Sequence, residues 1–143
     1  MAPAVGVPLQ VAGRTIPVTV LSMGNPQCIV LVDRLDAKEL RELGPKIEHH
    51  PRFPRRTNVE LVEVQSRSRI SIGIWERGAG ETAASGTGAA ASVVAAHLNG
   101  RVDRHVIVSC SGGELDVRWE EDGRVRVVGE AVVVAEGSLV APR

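Results

Sequence analysis

The sequence predicts an α+β domain in which a curved, mostly antiparallel sheet wraps around one buried central helix. Three observations predict it. Most of the 143 residues fall into short apolar, β-branched or alternating runs separated by turn residues. One segment, GTGAAASVVAAHLNG at 86–100, has apolar residues on every helical face, and its only large apolar side chain is Leu98. A helix of that kind is buried, and small side chains let strands approach it closely. Finally, Asp122-Gly123 lies between alternating runs, a hairpin signal because both turn positions require positive φ.

The elements follow in order. IPVTVL (16–21) and CIVLVD (28–33) are β-branched and apolar, and read as strands. A helix is expected from Asp36 to about Leu43. Asp36 is placed to cap it, Glu39 stands at the capping-box position, and Leu35 and Leu40 stand where a hydrophobic staple would hold them. Gly44-Pro45 is expected to interrupt it, with KIEHH as a short following turn. NVELVEV (58–64) and RISIGIW (69–75) alternate in character, with SRS (66–68) as the turn between them. The buried helix comes next, closed by Asn99-Gly100. HVIVSC (105–110), ELDVRWE (114–120), RVRVV (124–128) and AVVVAE (131–136) complete an antiparallel meander, with Ser111-Gly112-Gly113 as a further turn. The first ten or so residues and the last few are expected to fray.

Composition narrows the function classes. Lys+Arg and Asp+Glu are both 17 and aromatics are 2%. Neither a basic excess nor a stacking platform is present, so no nucleic-acid partner is expected. Arg52, Arg55 and Arg56 read as a solvated loop. No apolar run is long enough to span a bilayer, and MAPAVGVPLQ has no basic segment followed by an apolar one. No membrane association and a cytoplasmic location are the expectations. Cys28 and Cys110 sit in apolar, strand-like runs and read as buried, reduced thiols. His49 and His50 are adjacent, with no Cys/His/Asp cluster nearby, so no metal is expected.

The chemistry-bearing string is WERGAGETAASGTGAAAS (75–92). It reads as a strand ending in Glu76-Arg77, a glycine-rich turn, and the start of the buried helix. A helix N-terminus presents unpaired N–H groups and the positive end of the dipole. Gly86, Thr87 and Gly88 would let a carboxylate approach the backbone there, Arg77 would add charge, and Ser85 would point at the same spot. The alternative is that Ser85 is a plain N-cap and the glycines are packing devices. Periodicity alone favours that alternative.

ERGAGET, a small pair and GTGA (76–89) resemble the signature of the diaminopimelate epimerase family. Met23-Gly24-Asn25-Pro26 resembles the family's MGNPH, with Gln27 at the His position. HPRFPRRTNVELVEV (50–64) resembles the segment around the family's substrate-binding Asn, here Asn58. The resemblance runs from about Leu9 to Leu139. It implies a single C-terminal lobe, 1–143, of a two-lobed enzyme that needs no cofactor and converts LL- to meso-diaminopimelate in lysine biosynthesis. It implies substrate contacts from Asn25, Asn58, Glu76, Arg77, Gly86 and Thr87. It places Ser85 where the family has one of two catalytic cysteines, and leaves Glu76 as the remaining ionisable acid/base candidate.

Epimerisation removes the α-proton from one face and returns it to the other, so one thiolate acts as base and an opposing thiol as acid. A serine hydroxyl is a far weaker acid than a thiol, and Gln27 cannot titrate. The expectation is therefore a half-domain that binds an amino-acid carboxylate, pairs with a sister lobe or as a homodimer, and is inactive alone. The alternative is an active lobe of a two-chain or serine-variant epimerase or racemase.

Overall fold

The computed structural model describes residues 2–140. Its elements are β1 (Ala4–Val11), β2 (Arg14–Ser22), β3 (Pro26–Val32), α1 (Ala37–Glu48), β4 (Asn58–Ser66), β5 (Arg69–Glu76), β6 (Gly80–Thr82), α2 (Gly86–Leu98), β7 (His105–Cys110), β8 (Gly113–Trp119) and β9 (Val125–Val128). Among the described residues the strands form one sheet in the order β1-β2-β3-β4-β5-β7-β8-β9, with β6 pairing β5. The fold is α+β as expected, and most pairs are antiparallel. The two exceptions are β3 with β4 and β5 with β7. Parallel neighbours need a crossover, and the two helices supply one each.

The helices lie on opposite faces of the sheet. Period-two alternation sends Ile70, Ile72 and Ile74 of β5 towards α2, where they pack with Leu21, Ile29 and Val62. Val59 and Leu61 of β4 turn to the other face and meet Leu40, Leu43 and Ile47 of α1. The sheet curls around α2, which touches β2, β3, β4, β5, β7, β8 and β9. Residues Gly88 to Ala96 of α2 are all buried, as an all-round apolar helix requires. Its C-terminus closes as a Schellman motif, with Arg101 N–H donating to Ala96 O at 2.9 Å and Gly100 N–H to His97 O at 2.8 Å. Gly100 takes φ +72° there, the left-handed conformation this cap requires.

Four expectations are corrected. First, residues 4–11 are not frayed, because they pair with β2 and bury Leu9 and Val11. Second, α1 does not stop at Gly44-Pro45 but runs on to Glu48. A helical proline costs about 3 kcal/mol. Burying Leu40, Leu43 and Ile47, at about 1.5–3 kcal/mol each, offsets it. Gly44 also has a packing reason, since a Cβ there would lie 2.6 Å from Trp75 Cγ. Third, Asp36 caps through Lys38 N–H at 2.8 Å, and Glu39 turns outward to Arg14 instead of closing a capping box. Fourth, 131–136 is not a strand. It has no partner among the described residues, and Val132, Val133 and Val134 are 78%, 78% and 93% exposed.

Candidate functional site

α2 begins at Ser85, whose extended backbone (φ −150°, ψ 120°) is that of an N-cap. Ser85 Oγ accepts from Gly88 N–H at 3.1 Å and stands 3.4 Å from Thr87 Oγ1. Gly86 and Thr87 are exposed at the tip and Ser85 is half-buried, and N–H groups of a helix's first turn have no intrahelical partner. Ser85 is thus the N-cap, at the positive end of a buried helix.

Register places the other candidates. On β3 and β4, Gln27 lies opposite Asn58. Residues 58, 60 and 62 share the α2 face of β4, so Asn58 and Glu60 point the same way as Val62. Asn25 reaches this group through Gln27, their side-chain amides standing 2.9 Å apart. Asn58 Oδ1 accepts from Arg77 N–H at 2.8 Å, which draws the start of the β5–β6 turn onto β4. Glu76, half-buried, accepts from Thr82 Oγ1 at 3.4 Å, and no ion pair among the described residues reaches it. The Arg77 guanidinium donates to Arg55 O at 3.1 Å instead of to an acid.

Two carboxylates that sequence reasoning passed over organise this region. Glu60 is fully buried beside the tip of α2. A Cβ on Gly88 would lie 2.8 Å from Glu60 Oε1 and 3.2 Å from Ser85 Oγ, so the glycine leaves room for both. Burial, with Glu76 nearby, pushes the Glu60 carboxyl up to about 8. Period-two alternation was the signal that could have found it, since it puts residue 60 on the same face as Asn58. Glu48 ends α1 on the opposite face and accepts from Trp75 Nε1 at 2.8 Å and Gly78 N–H at 2.9 Å. Burial raises its pKa, but those two hydrogen bonds together with His49 and Arg56 outweigh it and hold the carboxylate below its ordinary range.

The thiols lie outside this constellation. Cys28 is buried in the α1-side core, and desolvation, reinforced by Glu60, pushes its pKa strongly up. Cys110, expected to be buried, is only half-buried because it ends β7 at the turn, where its Sγ donates to Gly113 O at 3.2 Å. That turn packs against the residues just before Ser85, through Gly112 N–H to Ala83 O at 2.8 Å. Arg52 donates to Pro8 O and Arg56 stands 3.7 Å from Glu48, so two of the three loop arginines brace the fold. A cavity of about 380 Å³ lies between α1, β5 and the end of β7. It includes none of Asn25, Asn58, Glu76 or Ser85.

The diaminopimelate epimerase family profile matches residues 19–135. The chain is 49% identical over 138 residues to a diaminopimelate epimerase of Desulfitobacterium hafniense, covering 96% of this chain and 49% of the relative. It is 51% identical over 133 residues to diaminopimelate epimerase 1 of a Nostoc species, covering 92% and 48%. The chain thus spans about half the length of the curated relatives it matches. Among solved structures, a phenazine biosynthesis protein of the PhzF family from Bacillus anthracis superposes with a TM-score of 0.56 at 18% identity, covering 78% of this chain and 38% of that one. A PhzF-family protein from Enterococcus faecalis gives 0.54 at 12% identity, covering 68% and 35%. These two share the fold. On the family profile and the near-half identity to curated relatives, the chain belongs to the diaminopimelate epimerase family.

Proposed function

We propose that the chain is one lobe of a cofactor-independent amino-acid epimerase, that it binds an amino-acid carboxylate at the tip of α2, and that it does not epimerise it alone. The observation that carries the reading is the placement of Ser85. It caps a buried helix whose first residues, Gly86 and Thr87, are exposed, and whose Gly88 sits beside Glu60, which Gln27 links to Asn25 and Asn58. In this reading the substrate crevice lies between that helix tip, Asn25, Asn58 and Glu76.

Each residue has a chemical part in this reading. The backbone N–H groups of Gly86 and Thr87 hold the α-carboxylate and stabilise the charge that develops as the α-proton leaves. Asn25 and Asn58 orient the remainder of the substrate, Arg77 adds charge at the rim, and Glu76 is the half-buried acid. Ser85 occupies the position from which a thiolate would take the proton. A helix N-terminus brings a cysteine of pKa about 8.5 towards neutrality. The same field leaves a serine hydroxyl protonated at neutral pH, and no base touches Ser85 Oγ, whose neighbours are Gly88 N–H and Thr87 Oγ1.

One helix tip also serves only one face of the α-carbon. The opposing group must come from across the crevice, from a sister lobe or a second copy of this chain. The exposed valines at 132–134, with Leu139 and Val140 at 98% and 87% exposure, support such an association, because unpaired apolar segments of this kind favour a covering partner.

Titration with diaminopimelate, followed at the backbone amides of Gly86, Thr87 and Gly88, tests the binding claim. Saturable movement of these three resonances is expected. A titration that moves other amides and leaves these three in place rejects the site.

A further inference from the structure

Gln27, Asn58 and Glu60 are buried together on the α2 side of β3 and β4, with exposures of 0%, 5% and 0%. The Gln27 amide is held between three groups. One of its terminal atoms lies 2.9 Å from Glu60 Oε1 and 3.3 Å from Glu60 Oε2. The other lies 2.9 Å from the Asn25 amide and 3.2 Å from Asn58 Nδ2. Asn58 cannot turn to suit Gln27, because its Oδ1 already accepts from Arg77 N–H at 2.8 Å.

Two hydrogen-bond patterns fit these positions. An ionised Glu60 only accepts, so Gln27 Nε2 faces it and Gln27 Oε1 accepts from Asn58 Nδ2. Asn25 then presents its own nitrogen to Gln27 Oε1 and leaves Oδ1 towards the crevice. A protonated Glu60 gains one donor and keeps an acceptor oxygen; where its O–H turns to Gln27 Oε1, Gln27 Nε2 donates to Asn25 Oδ1 and Asn25 Nδ2 is left outward. This second pattern sets two donors, Gln27 Nε2 and Asn58 Nδ2, 3.2 Å apart. Burial favours it and the donor conflict opposes it.

We propose that Glu60 is a positioning residue whose proton decides, through Gln27, which end of the Asn25 amide faces the crevice. With Glu60 protonated, Asn25 offers a donor suited to a carboxylate. With Glu60 ionised, it offers an acceptor suited to an ammonium group. The charged and titratable groups around Glu60 are few. Glu76 of β5 opposes its ionisation, and the Cys28 thiol of β3 is itself pushed up by burial and by Glu60. The first turn of α2, residues 86–89, carries no charged side chain. Both protonation states are reachable near neutral pH, since burial pushes Glu60 up to about 8.

The inference rests on the proposed crevice only for what Asn25 would touch, and its test uses no ligand. Side-chain NH2 resonances of Gln27 and Asn25 in the full chain are followed by ¹H–¹⁵N NMR from pH 5.5 to 10, alongside the ¹³C carboxyl resonance of Glu60. The expected result is that both amides shift with the carboxyl at one shared midpoint, and that Glu60→Gln abolishes the shifts. A carboxyl that titrates while the amides stay fixed overturns the proposal, as does a carboxyl that never titrates. Persistence of the amide shifts in Glu60→Gln overturns it too. If that variant does not fold, the wild-type titration decides alone.

Discussion

Replacing Glu48 with alanine should destabilise the chain severely. Glu48 is 3% exposed and its carboxylate accepts from Trp75 Nε1 at 2.8 Å and Gly78 N–H at 2.9 Å. Hydrogen bonds to a charged acceptor contribute about 1.5–3 kcal/mol each. The Arg56 contact, at 3.7 Å with a side chain 55% exposed, adds little after solvent screening. Truncation also strands the indole N–H between α1 and β5. The expected loss is about 3–5 kcal/mol, a large share of the roughly 5–15 kcal/mol that holds a domain together. With a urea m-value of about 2 kcal/mol/M, the midpoint falls by about 2 M. Equilibrium urea unfolding at one fixed protein concentration, read by tryptophan fluorescence, measures this. Glu48→Gln keeps one acceptor and should lose about half as much. The consequence reaches the site, because Gly78 follows Arg77, whose N–H fixes Asn58. A midpoint within about 0.5 M of wild type for Glu48→Ala would refute the reasoning.

Two further outcomes are expected. The Glu60 carboxyl is raised in the fold from 4.5 to about 8. The unfolded chain therefore ionises first, and stability present below pH 4.5 is lost as pH rises to about 8. Glu48 has the opposite sign: its folded value lies below 4.5, so its contribution is present above that pH and lost on acidification. Urea midpoints across pH 4–9 should show the Glu60 decline, and Glu60→Gln should flatten it; an unchanged slope counts against the burial argument. Sedimentation should find a dimer at micromolar concentration, with Val134→Lys weakening it, whereas a monomer at that concentration counts against the association.

What could be read from the sequence was what local pattern determines. α2 was legible because Ala89–Ala91, Val93, Val94, Ala95 and Ala96 leave no polar face, and Ser85 followed as its cap. β4 and β5 were legible from alternation, and β7 and β8 from strand-like runs bounded by turn signals. The continuation of α1 was not, because Gly44 and Pro45 look like breakers until Trp75 is seen packed over the glycine. β1 was missed because its order comes from pairing with β2 across the Ala12-Gly13 turn. Residues 131–136 have strand composition, but a strand needs an adjacent edge, and β-propensity carries no information about that. Asn25 and Asn58 came from motif resemblance, whereas Glu48 emerged only from tertiary structure, and Glu60 could be placed on the Asn58 face by alternation but not known to be buried. A buried carboxylate in the sequence looks the same as an exposed one.

The most direct test is proton exchange at the substrate α-carbon. Diaminopimelate is incubated in D₂O with the wild-type chain and with Ser85→Cys, and deuterium at Cα is followed by mass spectrometry. The account predicts solvent-background exchange for wild type and faster exchange for Ser85→Cys where a second group faces it across the dimer. Enzyme-like exchange by the wild-type chain would contradict it.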